Sequence, residues 1–488
     1  MHFNKAYFFA ILTILSGCIS MSKEEQTQNI LSSPSFNTST ENSLEESFFA
    51  TGDFPKTNWW ESFESQELNS LIEGALSLNP SIQQVKSTID FARQKTTIAK
   101  SRLFPLIFFD GNETWEFLSH NGLYRALNPK IPITNNLVNL SLSFNYEVDF
   151  WGKYRNLFRA ALGEQKASQA EYAQAVLITT TSVAQTFFAL KTNLVRERLY
   201  KKLFSVRSQV FELQNLLQEE ALLSKLPPLL SKENVSEAEQ WVFAIQEEIA
   251  ENKHLLNTLV GIGPDEPLAI DSKLPPLVKT LLIPENISLD LLSRRPDLMA
   301  QIWRVEAIAH EVGAAKADFF PNVNLMGFLG LESGMYAHLL QKNSGTGGLA
   351  PAFHLPIFTA GAIRANVRAK KATFDEAVYS YNTLLLQSAK EVTDVLSFAK
   401  MIFLQKKAQD SIVQDAKMRY EITELRNQKG LDSRLANYAF LEELIQKRLK
   451  LVSLIYNQYV AAIKLIKALG GGYASEYTLP LQAKEVTP

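Results

Sequence analysis

Apolar residues recur at steps of three and four along four long stretches of the chain. Leu199, Leu203, Val206, Val210, Leu213 and Leu217 form the first series. Val235, Ala238, Val242, Ile245, Ile249, Leu256 and Leu259 form the second. The third runs Phe374, Val378, Tyr381, Leu385, Val392, Val395, Ala399, Ile402, and the fourth Ile445, Leu449, Val452, Tyr456, Tyr459, Ile463, Ile466. A period near 3.5 keeps one apolar seam facing a partner helix and implies left-handed supercoiling. Helix breakers are scarce in the same regions. No glycine lies between Gly163 and Gly261, and the only prolines there are Pro227 and Pro228. Neither residue occurs between Gly361 and Gly430. A helix of about 65 residues is roughly 100 Å long, too long for the core of a compact domain. The pattern predicts two antiparallel coiled-coil hairpins, turning near Pro227–Pro228 and near Gly430. A large soluble helical bundle would show the same seams.

A second period decides between them. From Leu140 to Phe150 the chain alternates strictly. Leu140, Leu142, Phe144, Tyr146, Val148 and Phe150 face one way; Ser141, Ser143, Asn145, Glu147 and Asp149 face the other. About eleven such residues suit a membrane-spanning β-strand. Further candidates are Leu106–Phe117, Val323–Leu331 and Ala350–Phe358. Phe108, Phe109, Trp115, Phe117, Phe328, Tyr336 and Phe353 lie in or beside them and suit an interfacial aromatic girdle. Four strands cannot close a barrel alone, because single-chain barrels begin at about eight. In lipid, therefore, the chain must oligomerise. Two copies would supply eight strands and three would supply twelve.

The chain is also a duplication. Asn79-Pro80-Ser81-Ile82, Ala99-Lys100 and Phe104-Pro105 match Arg295-Pro296-Asp297-Leu298, Ala315-Lys316 and Phe320-Pro321 at a spacing of about 216 residues. Gly152, Arg155 and Tyr172 then pair with Gly361, Arg364 and Tyr381. Each half reads helix, Phe-Pro, strands, glycine turn, long helix. Two copies of one unit side by side are expected.

Composition alone suggests a soluble chain: 488 residues, 46% hydrophobic, 49 basic against 51 acidic side chains, and a mean hydropathy of -0.07. After the first 20 residues no apolar stretch reads as a transmembrane helix. The balanced charge offers no footprint for nucleic acid. The single cysteine excludes a disulfide framework. That cysteine has another use. Met1–Lys5, the apolar run Ala6–Leu15 and then Ser16-Gly17-Cys18 form a secretory leader. Leu15-Ser16-Gly17-Cys18 resembles the bacterial lipobox, which would make Cys18 a lipidated N-terminus. Ile19 rather than aspartate follows, which by that resemblance favours the outer membrane. Several acyl chains anchor firmly where one is marginal. Residues 18–58, rich in Ser, Thr, Asn and Glu, read as a flexible tether.

Trp59-Trp60-Glu61-Ser62-Phe63, Tyr146-Glu147-Val148-Asp149-Phe150-Trp151-Gly152-Lys153, Leu292-Ser293-Arg294-Arg295-Pro296-Asp297-Leu298, Ala315-Lys316-Ala317-Asp318-Phe319-Phe320-Pro321, Leu355-Pro356-Ile357-Phe358 and Lys467-Ala468-Leu469-Gly470-Gly471-Gly472-Tyr473 together resemble the TolC-like outer-membrane efflux channels. The lipoprotein branch, the OprM/NodT type, fits best. The resemblance spans Trp59 to Tyr473. It implies a mainly α fold with a membrane β-barrel part: two repeats, long coiled-coil α-hairpins forming a tube, and four β-strands per chain in a shared trimeric twelve-stranded barrel. The expected organisation is a signal peptide (1–17), a lipid-anchored tether (18–58), a first repeat (59–262, β-hairpin about 105–150, α-hairpin about 151–262), a linker (263–295), a second repeat (296–470, β-hairpin about 321–358, α-hairpin about 359–470) and a tail (471–488).

The implied role is a passive exit duct for drugs or other small molecules, with no catalysis and no cofactor. The implied partners are two further copies, outer-membrane lipid, a periplasmic adaptor and an inner-membrane RND pump. Type I protein secretion and metal-ion efflux are the alternatives within the class. In the family, charged residues after the second hairpin's glycine hold the periplasmic tip closed. Two positions where related channels often carry aspartates are Ala436 and Ala439 here. Asp432 with Arg434, or Tyr438 as a steric block, are the substitutes; a solvated helix turn is the plainer reading. The hairpin tips at Leu226, Pro227, Pro228 and Gly430 are the expected adaptor contacts, or else packing within the trimer. Enzymatic motifs are lacking: His310-Glu311 is followed by Ala314 where a zinc-protease helix needs histidine.

Overall fold

The computed structural model describes residues 31, 34, 36, 46–285, 287 and 293–474. Strand β1 (Phe49–Thr51) leads through a 3-10 turn at Trp59–Phe63 to helices α1 (Gln66–Leu78) and α2 (Pro80–Ser101). Strands β2 (Leu106–Phe117) and β3 (Thr134–Val148) follow, joined by a loop holding the short helix α3 (Leu123–Leu127). Helix α4 (Lys153–Glu219) runs away from the sheet and α5 (Leu226–Val260) returns. After β4 (Leu281–Ile283) the order repeats: α6 (Pro296–Ala317), β5 (Asn322–Ser333), the single-turn α7 (Tyr336–Leu339), β6 (Gly345–His354), α8 (Ala362–Gln428) and α9 (Arg434–Ala468).

The duplication is visible as equal lengths. Helices α2 and α6 each have 22 residues. The outgoing helices α4 and α8 each have 67, and the returning α5 and α9 each have 35. At 1.5 Å per residue the 67-residue helices span about 100 Å. Their starts are set locally. Proline opens α2 and α6, where a missing N–H costs nothing. The Asn79 side chain caps α2 by accepting from the Ser81 and Ile82 amides at 2.8 and 3.3 Å. Gly152 and Gly361 precede α4 and α8 with φ of 76° and 86°, a turn that glycine makes without strain.

The seams read from the sequence are buried: Leu203, Val206, Ala238, Ile245, Val378, Leu385, Val392, Ala399, Ile445 and Ile463 are among the least exposed residues. The widest part of the core lies near the middle of the molecule. There Phe188 stacks on Tyr459 at 4.0 Å, Phe63 packs at 5.0 Å from Phe188, and the Tyr459 hydroxyl donates to the Pro275 carbonyl at 2.5 Å. Burial pushes the Tyr459 phenol up to about 12, so it stays a donor at any physiological pH. Lys191, almost fully buried, is neutralised by Asp271 at 2.6 Å and by Glu67. Outside these carboxylates it would be an unpaired buried charge.

Five expectations are corrected. The 18–58 stretch is not all tether: Phe49–Thr51 pairs in parallel with Leu281–Ile283, and Phe36 and Phe49 are buried. Aromatic side chains in a polar run found an apolar surface. The 263–295 segment likewise is no bare linker, since β4 lies in it. The first hairpin turns at residues 220–225, and Pro227 and Pro228 sit in the first turn of α5. Strand β6 starts five residues before Ala350 and ends at His354, because Gly345–Gly348 extend to pair with Leu331–Phe328. Finally, α4 and α9 do contain 18-residue windows apolar enough to cross a membrane, with hydropathies of 1.3 and 1.2. Half of each window is buried inside the chain, so the apolar surface serves helix packing.

Helix α9 ends in Gly470-Gly471-Gly472, all at positive φ. A Cβ on Gly472 would lie 2.3 Å from the Lys56 backbone, whereas one on Gly430, also at positive φ, would meet nothing within 4 Å. Gly472→Ala should therefore cost ~2 kcal/mol or more through strain and clash, and Gly430→Asn under about 1 kcal/mol. Thermal unfolding of the detergent-solubilised protein checks both; equal losses would contradict the packing at Gly472.

Candidate functional site

Strands β2, β3, β5 and β6 form one antiparallel sheet in that order. The first hairpin joins the second through β3 and β5, with Leu140 opposite Leu331 and Val148 opposite Val323. The register sorts the side chains by face. Ile107, Phe109, Leu140, Leu142, Phe144, Tyr146, Val323, Leu325, Leu329, Leu349 and Phe353 share one face. Asp110, Asn112, Glu116, Asn139, Ser141, Ser143, Asn145, Glu147, Asn324 and Glu332 share the other. Among the described residues nothing covers either. Every residue of β2 is exposed, including Phe109 at 70% and Trp115 at 74%. A half-buried soluble sheet would cover its apolar face; here that face suits hydrocarbon and the polar face suits water. One part of the expected girdle is wrong. Phe108 and Phe328 lie on the polar face, directly opposite Ser143 from either side.

The edge strands β2 and β6 each have one unpaired side. Bare backbone edges are not tolerated in lipid. Packing inside the sheet is close: a Cβ on Gly327 would fall 2.4 Å from the Phe144 ring. The aromatic ring therefore lies over its glycine neighbour across the strands.

The Glu147–Lys153 motif is the elbow between sheet and tube. The Asp149 carboxylate accepts from the Tyr154 amide at 3.2 Å and from the Arg155 amide at 2.9 Å, capping α4. Carboxylates stabilise a helix N-terminus by meeting both its free N–H groups and its dipole. The Tyr154 hydroxyl donates to Glu147 at 2.7 Å. The Trp151 indole donates to the Pro321 carbonyl at 2.7 Å and stacks on Phe320 at 4.6 Å. Lys153 pairs with Asp318 at 3.0 Å. The first repeat, where it leaves the sheet, is thus pinned to the second where it enters. Lower down, Arg295 plays a similar part. Its guanidinium binds both Asp297 oxygens at 3.1 and 2.7 Å, Glu391 at 2.8 Å and the Ala468 carbonyl at 3.2 Å. Burial alone would lower its pKa, but Asp297 and Glu391 outweigh that and raise it.

At the far end of the tube the tips differ from expectation. Asp432 does not pair with Arg434. It is held by Arg426 on α8, at 2.6 and 3.0 Å, and its carbonyl accepts from the Asn427 amide group at 2.9 Å. Arg434, the first residue of α9, is exposed. Tyr438 packs beside Leu203, Val206 and Ile445. Pro228 is buried, while Leu222, Leu226, Leu229 and Leu230 are exposed. Gly430 makes the turn at φ 70°. Arg426 went unnoticed in the sequence because it precedes the glycine, on the outgoing helix. Cys18 lies outside the described residues.

A two-faced sheet with open edges, standing on helices of about 100 Å, defines a membrane-channel subunit. Residues 71–217 and 288–471 match the family model described as Outer membrane efflux protein, and the chain belongs to that family. Multidrug resistance outer membrane protein MdtP of Escherichia coli (strain K12) is 24% identical over 467 residues, covering 94% of each chain. The outer membrane protein VceC from Vibrio cholerae has a TM-score of 0.76 at 30% identity, covering 86% of this chain and 100% of that one. The Campylobacter jejuni CmeC outer membrane channel shares the fold, with a TM-score of 0.82 at 23% identity over 95% of this chain and 96% of its own. The sheet is accordingly the outer-membrane part and the helices are the periplasmic part.

The Arg426 side chain holds the Asp432 carboxyl below its ordinary 3.8. A depressed folded-state pKa stabilises the turn above 3.8 and loses that stabilisation as pH falls through the folded-state value. Hydrogen exchange at residues 426–434 should thus be flat from pH 7 to pH 5 after correction for intrinsic rates. It should rise below 3.8, and Asp432→Asn should show the raised exchange at pH 7.

Proposed function

We propose that three copies of the chain close a twelve-stranded barrel and a periplasmic tube, forming the passive exit duct of a tripartite RND-type efflux system for drugs or other small molecules. The observation that carries this is the pair of open edges at β2 and β6 on a sheet with one apolar and one polar face. Neighbouring copies satisfy those edges by pairing β6 with β2. A second feature of the long helices supports the same assembly. Helix α8 bears a seam buried within the chain and also a separate exposed stripe: Tyr379, Leu386, Met401, Leu404, Ile412, Met418, Ile422 and Leu425. Its steps of 7, 15, 3, 8, 6, 4 and 3 residues keep to one side of the helix and suit a second helix–helix seam, supplied by the next copy.

Cargo and partners follow from likeness. The relative MdtP is named a multidrug resistance protein, which favours small molecules over secreted proteins or metal ions. The energy source would be the inner-membrane pump, reached through a periplasmic adaptor. The exposed Leu222, Leu226, Leu229 and Leu230 and the Gly430 turn form the adaptor-facing tip. The Asp432–Arg426 pair stiffens that tip, and Arg434 and Tyr438 stand beside it as the gate residues. Lipidation at Cys18 agrees with chain geometry. The Leu31 amide donates to Asn382 on α8 at 2.9 Å. Asn382 lies 20 residues from the sheet end of α8 (382 minus 362), about 30 Å at helical rise. Thirteen residues separate Cys18 from Leu31 and span up to about 45 Å, enough to reach the membrane.

Purified protein in planar bilayers and a deletion strain test this together. Native mass measurement should give three chains, and discrete conductance steps should appear. Deletion should sensitise cells to dyes and antibiotics, with Cys18→Ser lowering the outer-membrane amount. A dimer, or a strain unchanged in every compound, overturns the assignment.

A further inference from the structure

The loops at the far end of the sheet carry the opposite charge to its strands. The 118–133 loop follows β2 and the 334–344 segment follows β5, both at the end away from the long helices. With the helices in the periplasm, that end is extracellular. Strands β2, β3, β5 and β6 hold Asp110, Glu113, Glu116, Glu147 and Glu332 and no lysine or arginine. The two loops reverse this, holding Arg125, Lys130 and Lys342 and no acid. Lys130 and Lys342 are exposed, and Arg125 donates to the Ile131 carbonyl at 2.6 Å. None of the three takes part in an ion pair among the described residues. At the helix end of the sheet, by contrast, Lys153 pairs with Asp318 at 3.0 Å and Arg155 with Asp149 at 3.2 Å.

The second observation is apolar. Leu123, Tyr124, Leu127, Met335, Tyr336 and Leu340 of the same loops are exposed, Leu127 at 76% and Leu340 at 83%. Exposed apolar residues gathered in one place mark a contact surface. Tyr336 shows which way part of that surface points. Glu113 is the sole charged side chain on the apolar face of the sheet. The Tyr336 hydroxyl bonds to it and to Asn136 of the same face. Helix α7 therefore folds over the lipid-facing side of the rim, not over the pore, and covers the one carboxylate there. Unpaired cations beside exposed leucines at a lipid-facing rim match an amphiphile with an anionic head. Phosphate oxygens accept charge-assisted hydrogen bonds from lysine and arginine, and acyl chains cover the leucines.

We propose that the extracellular rim binds the phosphate-bearing glycolipid of the outer leaflet at each seam between copies. This rests on the closed-barrel reading above. Pairing β6 with β2 of the next copy sets the 334–344 segment of one copy beside the 118–133 loop of its neighbour. Lys342 from one side and Arg125 with Lys130 from the other then flank one site, and a headgroup with two phosphates bridges them. Cations at a membrane surface select anionic lipid in this way. The bound lipid ties two copies together at the rim.

Native mass measurement of the detergent-solubilised full-length channel tests it. The probe is bis-phosphorylated lipid A, and the control is the same lipid stripped of its phosphates. The wild-type trimer should retain lipid A at a concentration about tenfold below that needed when Arg125→Gln, Lys130→Gln and Lys342→Gln are combined. Dephosphorylated lipid should bind both proteins alike. Leu127→Ser with Leu340→Ser should also weaken retention, while Lys86→Gln, at an exposed position on α2, should match the wild type. Equal retention of the two lipids by the wild type, or an unchanged triple variant, overturns the proposal. So does displacement of lipid A by inorganic pyrophosphate at matched concentration, which would assign the loops to soluble anions. Should the triple variant not assemble, Lys130→Gln with Lys342→Gln, both at exposed positions, carries the test. A wild type that is not trimeric would instead overturn the closed-barrel reading, whereas a trimer indifferent to the phosphates overturns this proposal alone.

Discussion

Backbone N–H and C=O groups at the rim of a sheet cannot be left bare in hydrocarbon. Strands β2 and β6 are both rims here, and the rest of the molecule is organised around that demand. A chain with four strands satisfies it only by sharing a barrel with copies of itself. Sharing requires each copy to present its two hairpins at one fixed curvature and height. The elbow at Asp149, Trp151 and Lys153 does this by tying the start of α4 to the Phe320-Pro321 end of the other repeat. The long helices inherit their direction from that junction.

The duplicated architecture divides the work. Near the middle of the molecule both repeats, the β1–β4 pair and the glycine-rich end of α9 meet in one core. The buried cations are each paired: Lys191 with two acids, Arg207 with Glu237 and Glu442, and Arg295 with two acids and a carbonyl. Removing one partner from such a group leaves an uncompensated charge, which is what makes it a strong constraint on register. The tips, by contrast, are held by exposed contacts such as Arg426 with Asp432. A stiff middle and a lightly held tip fit the gate proposed at the far end of the duct.

Much of this was legible in the residues. Steps of three and four gave the hairpins, the missing glycines gave their length, and Pro80 and Pro296 gave the start of the repeat. The strict alternation at Leu140–Val148 gave a two-faced strand. What escaped detection had no local signature. Gly345–Gly348 lies outside the expected Ala350–Phe358 strand, yet it is strand because β5 supplies its partners. Phe108 was grouped with Phe109, although adjacent residues in a strand face opposite ways. Asp432 was matched to the nearest following cation, yet an arginine one hairpin arm earlier is closer in space.

The sequence by itself determined the periods, the duplication and hence the family, since periodicity and helix breakers act within a few residues of where they are written. Only the tertiary structure decided which face each strand residue occupies relative to its neighbours, that the stretch before Trp59 contains a strand, and which charge holds each turn. These depend on pairing register and on contacts between residues tens or hundreds of positions apart. A local pattern permits several such arrangements, and packing of the whole chain selects one.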